Sequence, residues 1–271
     1  MTPDGWLALC RAAVDDVRGV LSALPTRTER EPVIGTGVGG DETTALDEAA
    51  ERAIVARLDS VHATGVDFLL VSEELGERRF GGGSELRVVL DPIDGSLNAK
   101  RGLPFFSVSI AVAEGDRMRD VVFGYVYDFG AGEEWTAVRG TGAWLEGRPL
   151  GDVRPKETLE LVALEATRTP SVAQAAAGLT GAANRVRVLG SLALSLCHLG
   201  AGRVDGVCSL RAARAVDIAA AQLLVRECGL AIALPDTETR FADARLDTAR
   251  RSRVVAAATE DVCGRLAAAL G

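Results

Sequence analysis

The 271-residue sequence predicts a layered α/β architecture, with an antiparallel first sheet and two halves, about 1–150 and 151–271, that form one unit and meet at a cleft. An apolar stripe at four-residue spacing (Leu46, Ala50, Ile54, Leu58) marks an amphipathic helix ahead of the first strands. Residues 106–113 and 120–127 alternate as antiparallel strands do, with Gly115-Asp116 at the turn between them. The second half is richer in alanine and interleaves short apolar runs with helical stretches, the pattern of helices layered on a sheet.

Taken in order, the chain opens on a helix over residues 4–23. Pro25, Pro32 and four glycines (Gly35, Gly37, Gly39, Gly40) then make a loop, and a second helix starts at Thr43 or Thr44. Apolar runs at 67–71 and 87–90 read as strands, and the antiparallel pair follows. Beyond it come strands near 160–166 and 185–189, a helix over 192–200 and a short strand at 204–208. A long helix from about 215 to 228 is closed by Gly229. Strands at 231–234 and 254–258 and a terminal helix complete the order.

Composition narrows the function. With 38 acidic against 30 basic residues the net charge is −8, and no nucleic-acid partner is expected, because a phosphate backbone calls for clustered Lys and Arg. The one basic run, Arg250-Arg251-Ser252-Arg253, reads as a solvated turn. Charges interrupt every apolar run short of a membrane span, so no membrane partner is expected either. The N-terminal stretch carries acids and lacks the basic start and small-residue cleavage site of a secretory signal. Five scattered cysteines, never in CxxC spacing, read as buried thiols of a cytoplasmic protein. Two histidines, His62 and His198, leave little material for a histidine metal site or a Ser-His-Asp triad. Carboxylates are the plentiful reactive groups.

The most informative segment is Val88-Val89-Leu90-Asp91-Pro92-Ile93-Asp94-Gly95-Ser96. An apolar strand delivers Asp91, Pro92 stiffens the exit, and Asp94-Gly95 makes a tight turn. Two carboxylates and the Ile93 carbonyl can then converge as hard oxygen ligands suited to Mg2+. If Gly95 and Ser96 begin a helix, their N–H groups face an anion. The alternative is a surface Pro-Asp-Gly turn. A second apolar strand, Phe68–Ser72, also ends in acids, Glu73 and Glu74. Were the two strands neighbours, these four carboxylates would gather at one edge and repel one another unless a divalent cation neutralised them. Asp217, in the first turn of the long helix, and Asp47, in a Thr44-x-x-Asp47 capping box, have structural readings of their own.

Two other patterns fail. Gly35-Thr36-Gly37-Val38-Gly39-Gly40 fits GxGxxG, yet the preceding Thr28-Glu29-Arg30-Glu31-Pro32 is no buried strand, and Asp41 would stand where a pyrophosphate must go. An EF-hand is excluded by ligand spacing and by Gly102 in place of its glutamate.

The order Gly40-Asp41-x-Thr43-x-x-x-Asp47, Glu73-Glu74, Asp91-Pro-Ile-Asp94-Gly-Ser96-x-Asn98, Gly190-Ser191 and Val216-Asp217-x-Ala-Ala resembles the inositol monophosphatase superfamily. The likeness covers roughly 35–150 and 185–235 and includes Gly102–Phe106. It implies an αβαβα five-layer sandwich of the sugar-phosphatase type and hydrolysis of a phosphate monoester with two or three Mg2+ ions. Glu73, Asp91, Asp94, the Ile93 carbonyl and Asp217 match metal-ligand positions. Glu74 and Asp41 match a third-metal shell. Glu73, Asp47 and Ser96 match the group that orients the attacking water, with a serine where threonine is common. Gly95 and Ser96 match the phosphate-binding backbone, and Gly190-Ser191 the substrate-binding turn. A homodimer is frequent among relatives.

Substrate choice is read from departures. Inositol-specific relatives carry a glutamate seven residues before the helix aspartate; here that position is Leu210, followed by Arg211 and Arg214, with Val216 where a tryptophan is common. This resembles archaeal-type members that accept inositol monophosphate and fructose-1,6-bisphosphate. Arg211 and Arg214 read equally as a solvated loop or as contacts to a second phosphate. Phosphoadenosine-nucleotide and histidinol-phosphate phosphatases share the metal motifs. An inactive metal-binding relative acting as a partner protein is the alternative of a different class, against which stands the complete ligand set.

Overall fold

The computed structural model describes every residue except 39, 41, 166, 167, 250 and 251. Asp41 and the Arg250-Arg251 pair therefore lie outside the described residues. Helix α1 (Pro3–Ala23) is N-capped by Thr2, whose hydroxyl accepts from the Gly5 N–H. A short helix α2 (Arg27–Arg30) and an antiparallel pair, β1 (Val33–Thr36) and β2 (Glu42–Thr44), lead into α3 (Ala45–Ala63). The first sheet follows as β3 (Phe68–Ser72), β4 (Gly76–Phe80), β5 (Leu86–Asp94), then helix α4 (Ser96–Arg101), β6 (Ser107–Glu114), β7 (Val121–Asp128), β8 (Glu133–Val138), β9 (Gly142–Leu145) and β10 (Arg148–Pro149). The second half comprises β11 (Leu159–Glu165), α5 (Thr169–Gly178), β12 (Ala183–Arg187), α6 (Leu192–Gly200), β13 (Gly206–Ser209), α7 (Ala215–Glu227), β14 (Ala231–Ala233), β15 (Val255–Ala257) and α8 (Glu260–Leu270).

The first sheet has the order β10-β9-β8-β7-β6-β5-β3-β4 and is antiparallel except where β3 and β5 run parallel. The second has the order β12-β11-β13-β15-β14. Helices α1 and α3 cover the outer face of the first sheet, α6 and α7 lie between the sheets, and α5 and α8 cover the far face of the second. The result is a five-layer αβαβα sandwich. Three apolar cores fill its interfaces, and strand periodicity sorts residues between them. Along β6, Val108, Ile110 and Val112 face the α1/α3 core, while Ala111 and Ala113 face the middle layer.

Small residues on that inner face let the alanine-rich α7 approach closely. A Cβ on Gly124 of β7 would lie 2.6 Å from the Ala220 carbonyl oxygen, a contact with backbone that cannot swing aside. Gly124→Val should therefore push α7 off the sheet and lower stability by about 3 kcal/mol, read by urea unfolding. Unchanged stability would show that the two layers can separate freely here.

Several elements differ from the sequence expectation. The segment read as a loop before α3 holds the β1–β2 pair, because β-branched Val33 aligns with Thr44 across a two-stranded ladder. Strand β4 is polar on its exposed residues and has no apolar run to announce it; it survives as an edge strand. Strand β5 runs beyond residue 90, through Pro92 to Asp94. The missing proline N–H is tolerated because the register with β6 slips between Asp91 and Asp94. Helix α5 and strands β8–β10 were also not read from sequence. Among the described residues no helix is long and apolar enough to cross a membrane.

Candidate active site

Parallel pairing of β3 with β5 places Ser72 beside Leu90, and the Glu73 N–H continues the ladder to the Leu90 carbonyl at 3.3 Å. Glu73 and Asp91 therefore leave adjacent strand ends side by side, close enough for one carboxyl to hydrogen-bond the other when it holds a proton. Helix α7 brings Asp217 in from the middle layer. The N-terminus of α6 supplies Ser191 and Ala193, whose Oγ and N–H donate to Asp94 Oδ2 at 2.5 and 2.7 Å. A cleft of about 250 Å³ opens over this group, lined among others by Glu73, Asp91, Asp94, Glu165, Arg211 and Asp217.

Two glycines make the floor of the cleft possible. Gly95 (φ +97°) and Gly190 (φ +94°) both occupy the left-handed region, and a Cβ on Gly95 would meet the Gly190 carbonyl oxygen at 3.0 Å. Asn98 ties the same loops, its amide donating to the carbonyls of Phe105 and Leu189 at 2.8 and 2.7 Å. Ser96 Oγ donates to the Ile93 carbonyl at 2.9 Å. Asp47 lies behind Ser96, outside the cleft lining. Its Oδ2 accepts from the Thr44 N–H and hydroxyl, completing the capping box of α3. Its Oδ1 is buried without a hydrogen-bond partner, and burial raises the Asp47 carboxyl above its usual range against the hydrogen bonds from Thr44.

The electrostatics follow from gathering acids away from water. Burial, then the charges of Glu73, Asp94 and Asp217, raises Asp91 well above the usual carboxylate range. Asp94 is pushed up to about 7 by burial, against the hydrogen bonds from Ser191 and Ala193. Glu73 is likewise pushed up to about 7 by burial, with Arg214 pulling the other way and Asp217 adding to the rise. Glu74 is raised by burial and accepts a hydrogen bond from the Thr43 hydroxyl.

Arg214, the N-cap residue of α7, is buried rather than solvated. Its guanidinium donates to Glu73 Oε1 and, at 3.3 Å, to Asp217 Oδ1. Arg211 lines the cleft and is exposed, whereas Leu210 packs on the outer core beneath α5 and α8 and stays out of the lining. The glycine-rich segment lies over the acids, with the Val38 N–H donating to the Glu74 carbonyl at 3.3 Å.

A match to the model of the inositol monophosphatase family spans residues 7–270. The chain belongs to the inositol monophosphatase family. It is 35% identical over 228 residues to a fructose-1,6-bisphosphatase/inositol-1-monophosphatase of Thermococcus kodakarensis, covering 84% of this chain and 82% of the relative. A Nus factor SuhB of Pasteurella multocida is 35% identical over 202 residues, 70% of each chain. A solved inositol monophosphatase–fructose 1,6-bisphosphatase superposes with a TM-score of 0.83 at 26% identity, covering 97% of this chain and 99% of the other. The protein is thus a phosphate-monoester hydrolase of a metal-dependent family that generally works with Mg2+.

The donor set suits such an ion in kind: four carboxylates and one carbonyl, all hard oxygens, with burial pushing two of the acids up to about 7 and their neighbours' charges adding to the rise. In this arrangement, among the described residues, no three acidic, imidazole or thiol groups are spaced to share one ion. Between Glu73 and Asp217, the Arg214 guanidinium supplies the positive charge instead.

Two buried acids at the site were missed in the sequence. Glu165 ends β11 and accepts from Ser195 Oγ at 2.5 Å and the Gly190 N–H at 2.9 Å, fixing the turn that carries Ser191. It was legible as a third apolar strand ending in an acid. Glu51, one turn after Asp47 on the buried face of α3, accepts from the Ser72 hydroxyl and the Leu75 N–H, bracing the strand end that bears Glu73. An acid within the apolar stripe of α3 was its signal.

Glu165 gives a pH test. Burial, with the Asp94 charge, moves its pKa from an ordinary 4.5 to about 8. The folded protein therefore keeps a proton that the unfolded chain has released, so the contribution of Glu165 to stability is greatest at acid pH and falls as pH rises through that window. Glu165→Gln mimics the protonated acid and should remove up to about 4 kcal/mol of this slope between pH 5 and 8 in the metal-free protein. Parallel unfolding curves for variant and wild type across that range would place the Glu165 pKa near its ordinary value.

Proposed function

We propose that this chain hydrolyses the phosphate monoester of a small polyol or sugar in the cleft above β3 and β5, with inositol monophosphate and fructose-1,6-bisphosphate as substrates. The supporting observation is the convergence of Glu73, Asp91, Asp94 and Asp217 from two parallel strand ends and a helix onto one cleft. In this reading those four carboxylates and the Ile93 carbonyl would hold two or three Mg2+ ions, with Glu74 and Asp41 in an outer shell. Bound Mg2+ supplies the charge that neutralises the phosphate oxygens and acidifies a water.

The chain's own groups then position the reactants. Because the Ser96 hydroxyl donates to the Ile93 carbonyl, its lone pairs stay available to accept from a water, and Asp47 backs it. Glu73, with Ser96 and Asp47, would orient the attacking water in the same place. The Gly95 and Ser96 backbone and the Gly190-Ser191 turn face the phosphate and its sugar. Charge neutralisation and alignment suit the loose transition state of phosphoryl transfer, and no covalent phosphoenzyme is required.

Substrate breadth rests on the rim. Leu210 turns into the outer core and leaves no side-chain acceptor for a ring at that position, while Arg211 lines the cleft with a cation suited to a second phosphate. The relatives named for both activities agree with this. Phosphate release should be measured on inositol-1-phosphate, fructose-1,6-bisphosphate, phosphoadenosine nucleotides and histidinol phosphate, each with Mg2+ and with chelator. The first two should be cleaved at comparable rates, and only with metal. Arg211→Ala should cost about ten- to a hundredfold in kcat/KM on the bisphosphate and little on inositol-1-phosphate. Preferential cleavage of the nucleotide or histidinol ester, or equal losses in the variant, would overturn the substrate assignment.

A further inference from the structure

Arg214 occupies an unusual place for a helix-capping residue. Its N–H donates to Asp217 Oδ2 at 2.6 Å, and its side chain then folds inward until only 4% of it is exposed. The guanidinium donates to Glu73 Oε1 and Asp217 Oδ1, two oxygens that arrive from different layers of the sandwich. A guanidinium cannot shed its proton, so burying it here depends on carboxylate partners, and the crowded carboxylates in turn depend on a positive charge among them. The chemistry is reciprocal: the acids need a cation, and the chain provides one.

We propose that Arg214 is the resident counter-ion of the carboxylate cluster and is exchanged for Mg2+ when the site loads, so that metal uptake and release of the guanidinium are one event. The inference rests on the reading of Glu73 and Asp217 as metal-holding residues. A divalent ion and the guanidinium compete for the same oxygens, and their like charges disfavour occupancy together. The metal-free cluster is thereby kept folded and spaced without an ion. The apparent affinity for Mg2+ is lowered by the contact that must first break.

Competition separates this role from ordinary packing, because it moves two quantities in opposite directions. Chelator-stripped wild type, Arg214→Gln and Arg214→Lys are to be titrated with MgCl2 by calorimetry at fixed pH and ionic strength, and melted without metal. Arg214→Gln should bind Mg2+ about tenfold tighter or more, while its metal-free form melts at a lower temperature. Arg214→Lys, which keeps the charge, should stay close to wild type in both. A folded Arg214→Gln that binds Mg2+ no more tightly than wild type overturns the exchange. If that variant does not fold, the wild type decides: the arginine side-chain 15N resonance that is absent from Arg214→Lys should shift along the same Mg2+ titration, and an unmoved resonance at saturation overturns the exchange. Asp94→Asn distinguishes the two levels of the reading. Wild type that takes up no Mg2+, or Asp94→Asn that takes it up equally well, breaks the metal-site assignment and the exchange with it. Uptake weakened by Asp94→Asn but indifferent to Arg214→Gln breaks the exchange alone.

Discussion

Asp94→Asn should lower turnover by about a thousandfold or more while leaving the metal-free protein at least as stable as wild type. The two effects have one origin. Asp94 Oδ2 is fixed by Ser191 Oγ and the Ala193 N–H, which holds the carboxylate in the cleft lining. The asparagine amide retains one acceptor for those donors but removes a charge that a divalent ion requires. That same charge is costly in the metal-free protein, where burial and then Asp217 and Glu73 push the Asp94 pKa up to about 7. Deleting it relieves repulsion. Phosphate release and thermal unfolding in chelator measure the two sides, and a variant that stays active, or that loses activity by unfolding, would contradict the assignment.

Ser96→Ala should lower kcat by about a hundredfold with little change in KM, and Ser96→Thr should be tolerated. The hydroxyl is already committed as a donor to the Ile93 carbonyl, which orients its lone pairs, and the buried Asp47 behind it has one oxygen without a hydrogen-bond partner. A group that aligns the attacking water matters most in the transition state, hence the loss in kcat. Threonine preserves the hydroxyl. Equal steady-state kinetics of Ser96→Ala and wild type would reduce the residue to a brace for the Ile93 turn.

The layered fold was legible because its helices carry local signals. The stripe Leu46, Ala50, Ile54 and Leu58 is buried throughout α3, and Gly229 lies just past the C-cap of α7. Strands that depend on a partner were less legible. Strand β4, with Glu77, Arg78 and Arg79 exposed, has no periodicity of its own and exists because β3 offers it an edge. The acids at the ends of β3 and β5 could be paired in advance, since an apolar run ending in carboxylates announces itself. The adjacency of those strands, and the arrival of Ser191 on Asp94 from 97 residues away, are tertiary facts. Arg214 shows the limit most clearly. From sequence it was as compatible with a solvated loop as with a phosphate contact, and only the meeting of α7 with the end of β3 reveals that it points at Glu73.

The carboxylate cluster as the seat of the working ion is tested most directly by diffraction from crystals grown with Mn2+ and inorganic phosphate, with data collected at the manganese edge. Anomalous peaks are expected within bonding distance of Glu73, Asp91, Asp94 and Asp217, with the phosphate beside them and Arg214 turned out of the cluster. Peaks confined to other sites, or a cluster still spanned by the Arg214 guanidinium at saturating Mn2+, would contradict it.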